Sequence, residues 1–450
     1  MTRFSRRTLL QLAGASALAT ALPIRAYAQS ATPIKWMSWG GATNIQKLAN
    51  SVASQVPAIG SAYAATAVDG GQGDQDVAAA LRLGLASGQN LPDIVQLNRT
   101  QVAEFAASGE LMDLNQVFSD VKGDLYSGAQ QLAKVGDNFV AFPFELKSKL
   151  FYYRPDLFEK AGVDMASLGT VDGFIAAGKA LQQKAGTNIL NLGPQPAGYW
   201  LGELISAYPD SRYFADESGH FTVTSNPAFK AAFGFLKNLV GSGVTNKIDD
   251  WSSDWQPAIA NGKVASFLNA NWLKFFLPKF APEQTGKWSV TLWPALTPLA
   301  DQRYGSEAGG SVFVIPKKAP NAKAAADYLH KVFLEKEGAL AAFTALGTTP
   351  LIKSAKDDFL ARAAKPTKPA GMSDTDFALQ PANYFGPTFA RTEIGSYDYV
   401  KVLKYDPAAS KGLDIINQWL QKYLAGTDLD TALKSAQSDM ESQIGNPFNP

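Results

Sequence analysis

Two histidines, no cysteine and nine tryptophans bound the chemistry open to this 450-residue chain. Without cysteine it has no disulfide, no thiolate metal ligand, no thiol nucleophile and no lipid-modified cysteine. His220 stands beside Gly219 in a turn, and His330 lies on a helix expected over Asn321 to Leu334. Neither has partners at metal-ligand or nucleophile spacing, so no catalytic residue, metal or cofactor is expected. Gly70-Gly71-Gln72-Gly73 resembles a phosphate loop, yet Asp76 stands where a dinucleotide fingerprint has its third glycine, and no Gly-Lys-Ser/Thr follows. The segment reads as a helix lead-in. Forty acidic residues leave an exported carbohydrate-active enzyme open as the alternative, since hydrolysis needs only two carboxylates about 5–9.5 Å apart. No pair is singled out by the sequence.

The composition suits recognition of a sugar, whose C–H faces take aromatic rings and whose hydroxyl rim takes planar polar side chains. Stacking adds ~0.5–1.5 kcal/mol beyond area burial, and a neutral hydrogen bond about 1 kcal/mol net, so a few of each suffice. Trp39, before Gly40-Gly41, reads either as a stacking ring or as a core-edge residue. Tyr199 and Trp200 follow the loop Gly193 to Gly198, with helix capping as the competing role for Trp200. Trp251 and Trp255 share one helical face and read as packing, as do Trp288, Trp293 and Trp419. Gln96 and Asn98, at alternate positions of a strand end, are polar candidates. Glu145 either accepts from sugar hydroxyls or pairs with Lys147 or Lys149. Tyr384 and Arg391 complete the set, and an Arg391 or Lys274 reaching the site would suit an anionic sugar.

Positioning these residues falls to alternating strands and helices, the signature of an α/β protein. Ile34 to Met37 reads as a strand and Ala42 to Val56 as a helix. Asp74 is expected to cap a helix carrying Val77, Leu81 and Leu85, with Gly88 at its end. Pro92 to Leu97 reads as the next strand, its carboxyl end being where open α/β sheets place ligands. Ahead of these, Ser5-Arg6-Arg7-Thr8-Leu9-Leu10 is a twin-arginine signature, followed by an apolar run too short to span a bilayer and by Ala26-Tyr27-Ala28. Cleavage after Ala28 and export to the periplasm are expected, without a lipid anchor. The first 28 residues hold four arginines and no acid, so the remainder sets 37 basic groups against 40 acidic ones. That balance gives no support to a nucleic-acid partner. About 420 residues exceed one core, so two lobes are expected.

Four segments carry a resemblance: Ser108-Gly109-Glu110-Leu111-Met112-Asp113-Leu114; Phe142 to Gly162; Ala260 to Ala265 leading to Asn271-Trp272; and Gly309 to Pro316. In order and spacing they resemble the periplasmic solute-binding proteins of ABC importers, family 1, the branch typified by maltose- and glycerol-phosphate-binding proteins. The resemblance covers nearly the whole chain after the signal. It implies a two-lobed periplasmic-binding-protein fold, with hinge crossings near Val140 to Glu145, Ala308 to Phe313 and Ala370 to Leu379. Lobe one would be residues 29–141 plus 313–370, and lobe two 142–312 plus 371–450. It also implies that Asn271, Trp272, Gly310 and Ser311 face a ligand cleft, with backbone N–H donors at the last two. The expected molecule is a monomeric, non-enzymatic receptor that captures a sugar or oligosaccharide by lobe closure and presents it to membrane permease subunits.

Overall fold

The computed structural model describes residues 30–40, 42–193, 200–201, 204–205, 214–216, 218–250, 252–292, 305–306, 310–368, 372–401 and 409–446. The twin-arginine segment, Gly41, Tyr199, Trp251 and Trp293 lie outside them.

Besides a short hairpin of Lys134–Val135 and Asn138–Phe139, the strands in chain order are β1 (Thr32–Ser38), β2 (Tyr63–Asp69), β3 (Ile94–Asn98), β4 (Phe142–Pro143), β5 (Lys149–Tyr153), β6 (Leu190–Asn191), β7 (Thr245–Asn246), β8 (Ser266–Ala270), β9 (Ser289–Leu292), β10 (Gly305–Ser306), β11 (Ser311–Val314) and β12 (Val400–Lys401). A first sheet has the order β2-β1-β3-β11-β4. In it β1 is parallel to β2 and β3, while β11 is antiparallel to β3 and β4. The carboxyl ends of β1, β2, β3 and β4 therefore share one edge, where β11 begins. Along β3 Ile94, Val95, Gln96 and Leu97 are all buried, as expected of a strand covered on both faces.

The second sheet has the order β8-β5-β9, with β5 antiparallel to both neighbours. The parallel pair β6-β7 joins it through the parallel bridge between Asn188 and Val264, with the Ala265 N–H donating to the Asn188 carbonyl at 2.8 Å. The carboxyl ends of β6, β7 and β8 thus share an edge with the amino end of β5. That edge is where the chain arrives from the first sheet through residues 144–148.

Helices flank both sheets. Amphipathic α1 (Thr43–Gln55) buries Ile45, Leu48, Ala49 and Val52. Helix α2 (Asp74–Ser87) buries Val77, Ala78 and Leu81 and ends on Gly88 in the left-handed conformation at φ 67°. Its N-terminus departs from expectation: Gly73 is the cap and Asp74 the first helical residue. The Asp76 carboxylate accepts from the N–H groups of Gln72 (2.8 Å) and Gly73 (3.1 Å). Those are donors that a phosphate would need, so the glycine loop is closed upon its own helix.

The buried apolar side chains divide into three clusters. One surrounds the first sheet, from Ile34 to Leu146 and from Val312 to Ala363. A second packs Phe151 to Leu268 with the C-terminal helices α4 (Ala409–Leu424) and α5 (Leu429–Gln443). A third gathers Tyr152, Trp255, Leu273, Trp288, Tyr384 and Phe389 on the other face of the second sheet. Trp255 and Trp288 are fully buried there, as their spacing suggests. Between the cores runs α3 (Thr388–Ser396), which buries Phe389 in the third cluster and Ala390 and Ile394 in the first. Residues 390–400, grouped by the sequence with lobe two, thus pack into the first core through Ala390, Ile394, Tyr397 and Val400.

Candidate solute-binding cleft

The two carboxyl-terminal edges meet where the chain passes between the sheets. On the first edge, Ser38 and Trp39 end β1, and Gly70 follows β2, its N–H donating to the Ser38 carbonyl at 2.9 Å. Gln96 and Asn98 occupy alternate positions of β3, and Asn98 lies opposite Ser311 of β11. The Ser38 hydroxyl donates to Gln96 Oε1, fixing a side chain only 6% exposed. The Asn98 N–H donates to Gln101 Oε1 at 3.1 Å, leaving its half-buried side chain at the edge. Trp39 is half-buried against the first core. Gly310 and Ser311 are buried here, with the Gly310 carbonyl accepting from the Arg99 N–H at 3.0 Å and the Ser311 carbonyl from the Phe144 N–H at 3.2 Å. Phe144 packs on Phe313, ring centroids 4.8 Å apart, and Phe313 packs on Trp36 at 4.7 Å. This aromatic row pins the start of the crossing to the sheet.

Within the crossing, the Glu145 carboxylate pairs with Lys147 at 3.8 Å, one of the two pairings expected of it. Behind it lies a dry polar knot. Glu393 of α3, 1% exposed, accepts from Lys274 Nζ (2.6 Å) and Asn271 Nδ2 (2.8 Å). Asn271 Nδ2 also donates to the Leu146 carbonyl at 3.0 Å, and Lys274 Nζ reaches Thr349 Oγ1 at 3.4 Å. The Ser396 hydroxyl donates to Ser148 Oγ at 2.6 Å. Burial and the neighbouring Glu393 and Glu145 carboxylates push the Tyr397 phenol well above its usual range. Asn271, expected to meet ligand, therefore spends its amide donors on this junction. Lys274 is neutralised in the same knot rather than presented to an anion.

Trp272, next along, is half-buried and meets Phe276 edge-on at 5.6 Å. Two other candidates belong to cores. Tyr384 is 0% exposed and its hydroxyl donates to the Ala281 carbonyl at 2.8 Å, while Trp200 is 5% exposed within the second cluster. Arg391 is exposed on α3, beside the knot in sequence and outside its hydrogen bonds. The structure thus brings Trp39, Gln96, Asn98, Glu145, Gly310 and Ser311 to the first edge, and Trp272 to the second.

Sequence reasoning missed a cluster on the second edge. Asn191, at the carboxyl end of β6, is 5% exposed and its Nδ2 donates to Asp250 Oδ1 at 2.7 Å. Asp250 follows β7 and is partly exposed. Desolvation raises its carboxyl to about 6 against the opposing pull of the Asn191 bond, the Lys149 charge and the Trp255 side chain, with Asp249 adding to the rise. Lys149, buried at the first residue of β5, is the side chain that links this cluster to the crossing. No signal in the sequence joins residues so far apart.

Facing carboxyl edges of two α/β lobes, bridged by crossing chain, define the class of two-lobed binding proteins whose ligand site is the interlobe cleft. Residues 66–372 match the family model of bacterial extracellular solute-binding proteins, and the chain belongs to that family. Its relatives include the lactose-binding protein of Rhizobium radiobacter, 30% identical over 57% of this chain and 61% of that protein. The arabinooligosaccharide-binding protein of Halalkalibacterium halodurans is 22% identical over 81% of this chain and 79% of its own. Among solved structures, the sugar-binding protein MalE of Xanthomonas citri superposes with a TM-score of 0.72 at 18% identity, covering 91% of this chain and 97% of that one. The ABC transporter associated binding protein of B. animalis subsp. lactis Bl-04 gives 0.70 at 20% identity, covering 93% and 98%. The family's proteins bind solutes rather than transform them, which removes the enzyme alternative. Among the described residues no group of three or more His, Asp or Glu side chains could hold a metal ion, and no helix is long and apolar enough to cross a membrane.

Proposed function

We propose that this protein is the periplasmic substrate-binding component of an ABC importer, capturing a neutral sugar or an oligosaccharide between its lobes and delivering it to the permease. The observation that carries this reading is the pairing of the two carboxyl edges, with Trp39 and Trp272 as rings and Gln96, Asn98, Glu145 and Ser311 as polar edge groups. The named ligands of the relatives, lactose and arabinooligosaccharides, support the same class. Closure follows from a population shift: a solute touching both lobes only when they are shut contributes its differential affinity to the shut state. A monomer suffices for this mechanism, and the twin-arginine segment before Gln29 supplies the route to the periplasm. The test is a thermal-shift screen of residues 29–450 against mono- and oligosaccharides, polyols and anionic sugars, with the ligand recovered afterwards. A carbohydrate that raises the melting temperature and returns intact supports the reading. Stabilisation by no carbohydrate overturns it.

A further inference from the structure

Three lysines stand at or next to the chain passage between the lobes, and each has a carboxylate partner. Lys147 pairs with Glu145 at 3.8 Å, Lys274 with Glu393 at 2.6 Å, and Lys149 acts on Asp250. Asp249 adds a further negative charge beside Asp250. Each of these three lysines is therefore held by a carboxylate rather than presented to an anionic ligand, and the partly exposed carboxylate of Asp250 has the partly exposed Asp249 beside it. The orientation of the Asp250 carboxylate is built, because Asn191 holds Oδ1 from the end of the neighbouring strand. Asn191 is itself 95% enclosed, and its own Oδ1 is buried with no hydrogen-bond partner. A buried acceptor left unmet costs about 1–3 kcal/mol, a cost relieved where a ligand or a water supplies the donor.

We infer that Asp250 is the hydroxyl acceptor of the second lobe, that Asn191 is its positioning residue, and that together they select an uncharged polyhydroxylated solute over its anionic counterparts. This rests on the sugar-binding reading and deepens it. The carboxylate accepts one or two ligand hydroxyls only when ionised. A sugar acid placed there would set a second anion against Asp250 and Asp249, with Lys149 as a compensating cation.

The groups facing Asp250 are Lys149 from β5, Asn191 from β6, Trp255 and its neighbour Asp249. Since the carboxyl sits near 6, affinity for a neutral sugar falls as pH drops from 7.5 to 5, and the fall is absent in Asp250→Asn.

The experiment takes the neutral sugar that stabilises the unaltered protein and measures its affinity by calorimetry at pH 7.5 and pH 5. It then measures the uronic acid and phosphate ester of the same sugar, and repeats the set with Asp250→Asn and Asn191→Ala. The expected result is a loss of about 10–100-fold in Asp250→Asn and of about tenfold in Asn191→Ala, the range of a lost charged or neutral hydrogen bond, with the anionic analogues binding worst. Asp250→Asn keeps the side-chain shape, so it folds; the pH profile of the unaltered protein needs no variant at all. Equal affinity in Asp250→Asn, or an anionic analogue that binds as tightly as the neutral sugar, overturns the inference while leaving the sugar reading intact. An unaltered protein that binds no carbohydrate overturns both.

Discussion

At the scale of single residues, the rings and carboxylates of the cleft differ in how much they owe to their surroundings. Trp272 is partly exposed at the margin of the third cluster and meets Phe276 edge-on at 5.6 Å, so its removal costs the fold less than that of a core tryptophan. Trp272→Ala is expected to weaken sugar binding by tenfold or more while lowering stability by only about 1–2 kcal/mol; titration calorimetry beside thermal unfolding separates the two. Asp250 works the other way. Its folded carboxyl sits near 6 and its unfolded one near the ordinary aspartate value of 3.8, so it stabilises the fold least when ionised. That contribution is fully present below about pH 4 and is lost as pH rises through 6. Relative to Asp250→Asn, the ligand-free protein should lose on the order of 2–3 kcal/mol between pH 4 and pH 7, measured by denaturant titration at each pH. A flat difference between the two would place Asp250 in water. None of this was legible in the sequence, because Asn191 and Lys149 are brought to Asp250 by strand pairing alone. A lone Asp-Asp step in a loop carries no pattern of its own.

At the scale of elements, legibility follows periodicity. β1, α1 and α2 were readable because apolar residues recur at two- or four-residue spacing, and β3 because a short apolar run follows a proline. β6 and β7 are two residues each and leave no such trace, yet they deliver Asn191 and Asp250 to the second edge. The glycine loop before α2 was read correctly as a helix lead-in, although its cap turned out to be Gly73 served by Asp76. At Gly71, φ is +111° and an added Cβ would lie 2.4 Å from the Asp76 Cβ. Gly71→Ala is therefore expected to cost about 1–3 kcal/mol through backbone strain and a displaced Asp76, read as a drop in melting temperature. Asp76→Ala should cost about 1 kcal/mol by leaving two N–H groups uncapped. The boundary near residue 370 followed from the family resemblance, whereas α3 packs into two cores at once. Only the tertiary contacts of Ala390, Ile394 and Tyr397 reveal that.

At the scale of the whole molecule, the junction of the lobes is a sealed ionic site rather than a loose linker. Lys274 and Glu393 are 2% and 1% exposed, Asn271 and Thr349 complete their bonding, and Asn271 also donates to the Leu146 carbonyl. Glu393→Gln leaves Lys274 buried without its counter-charge and is expected to cost about 3–5 kcal/mol. The double change Lys274→Met with Glu393→Leu should recover most of that loss, since apolar replacement of both partners removes the desolvation cost. Chemical denaturation of the two variants checks the sign. A double variant as unstable as the single one would mean that the knot's hydrogen bonds to Asn271 and Thr349 dominate.

In the closure proposed above, a knot that costly to open would act as the fulcrum of the rotation between the lobes. Displacement in a rotation grows with the length of the lever arm. Glu145, in the passage beside Glu393, would then travel little as the cleft shuts, whereas side chains farther out along the edges would sweep a wide arc. The inner end of a bound oligosaccharide would thus meet a wall of nearly constant shape, and its outer end a jaw of adjustable width. Such a molecule should be strict about the sugar unit lodged nearest the fulcrum and permissive about how many units trail behind it.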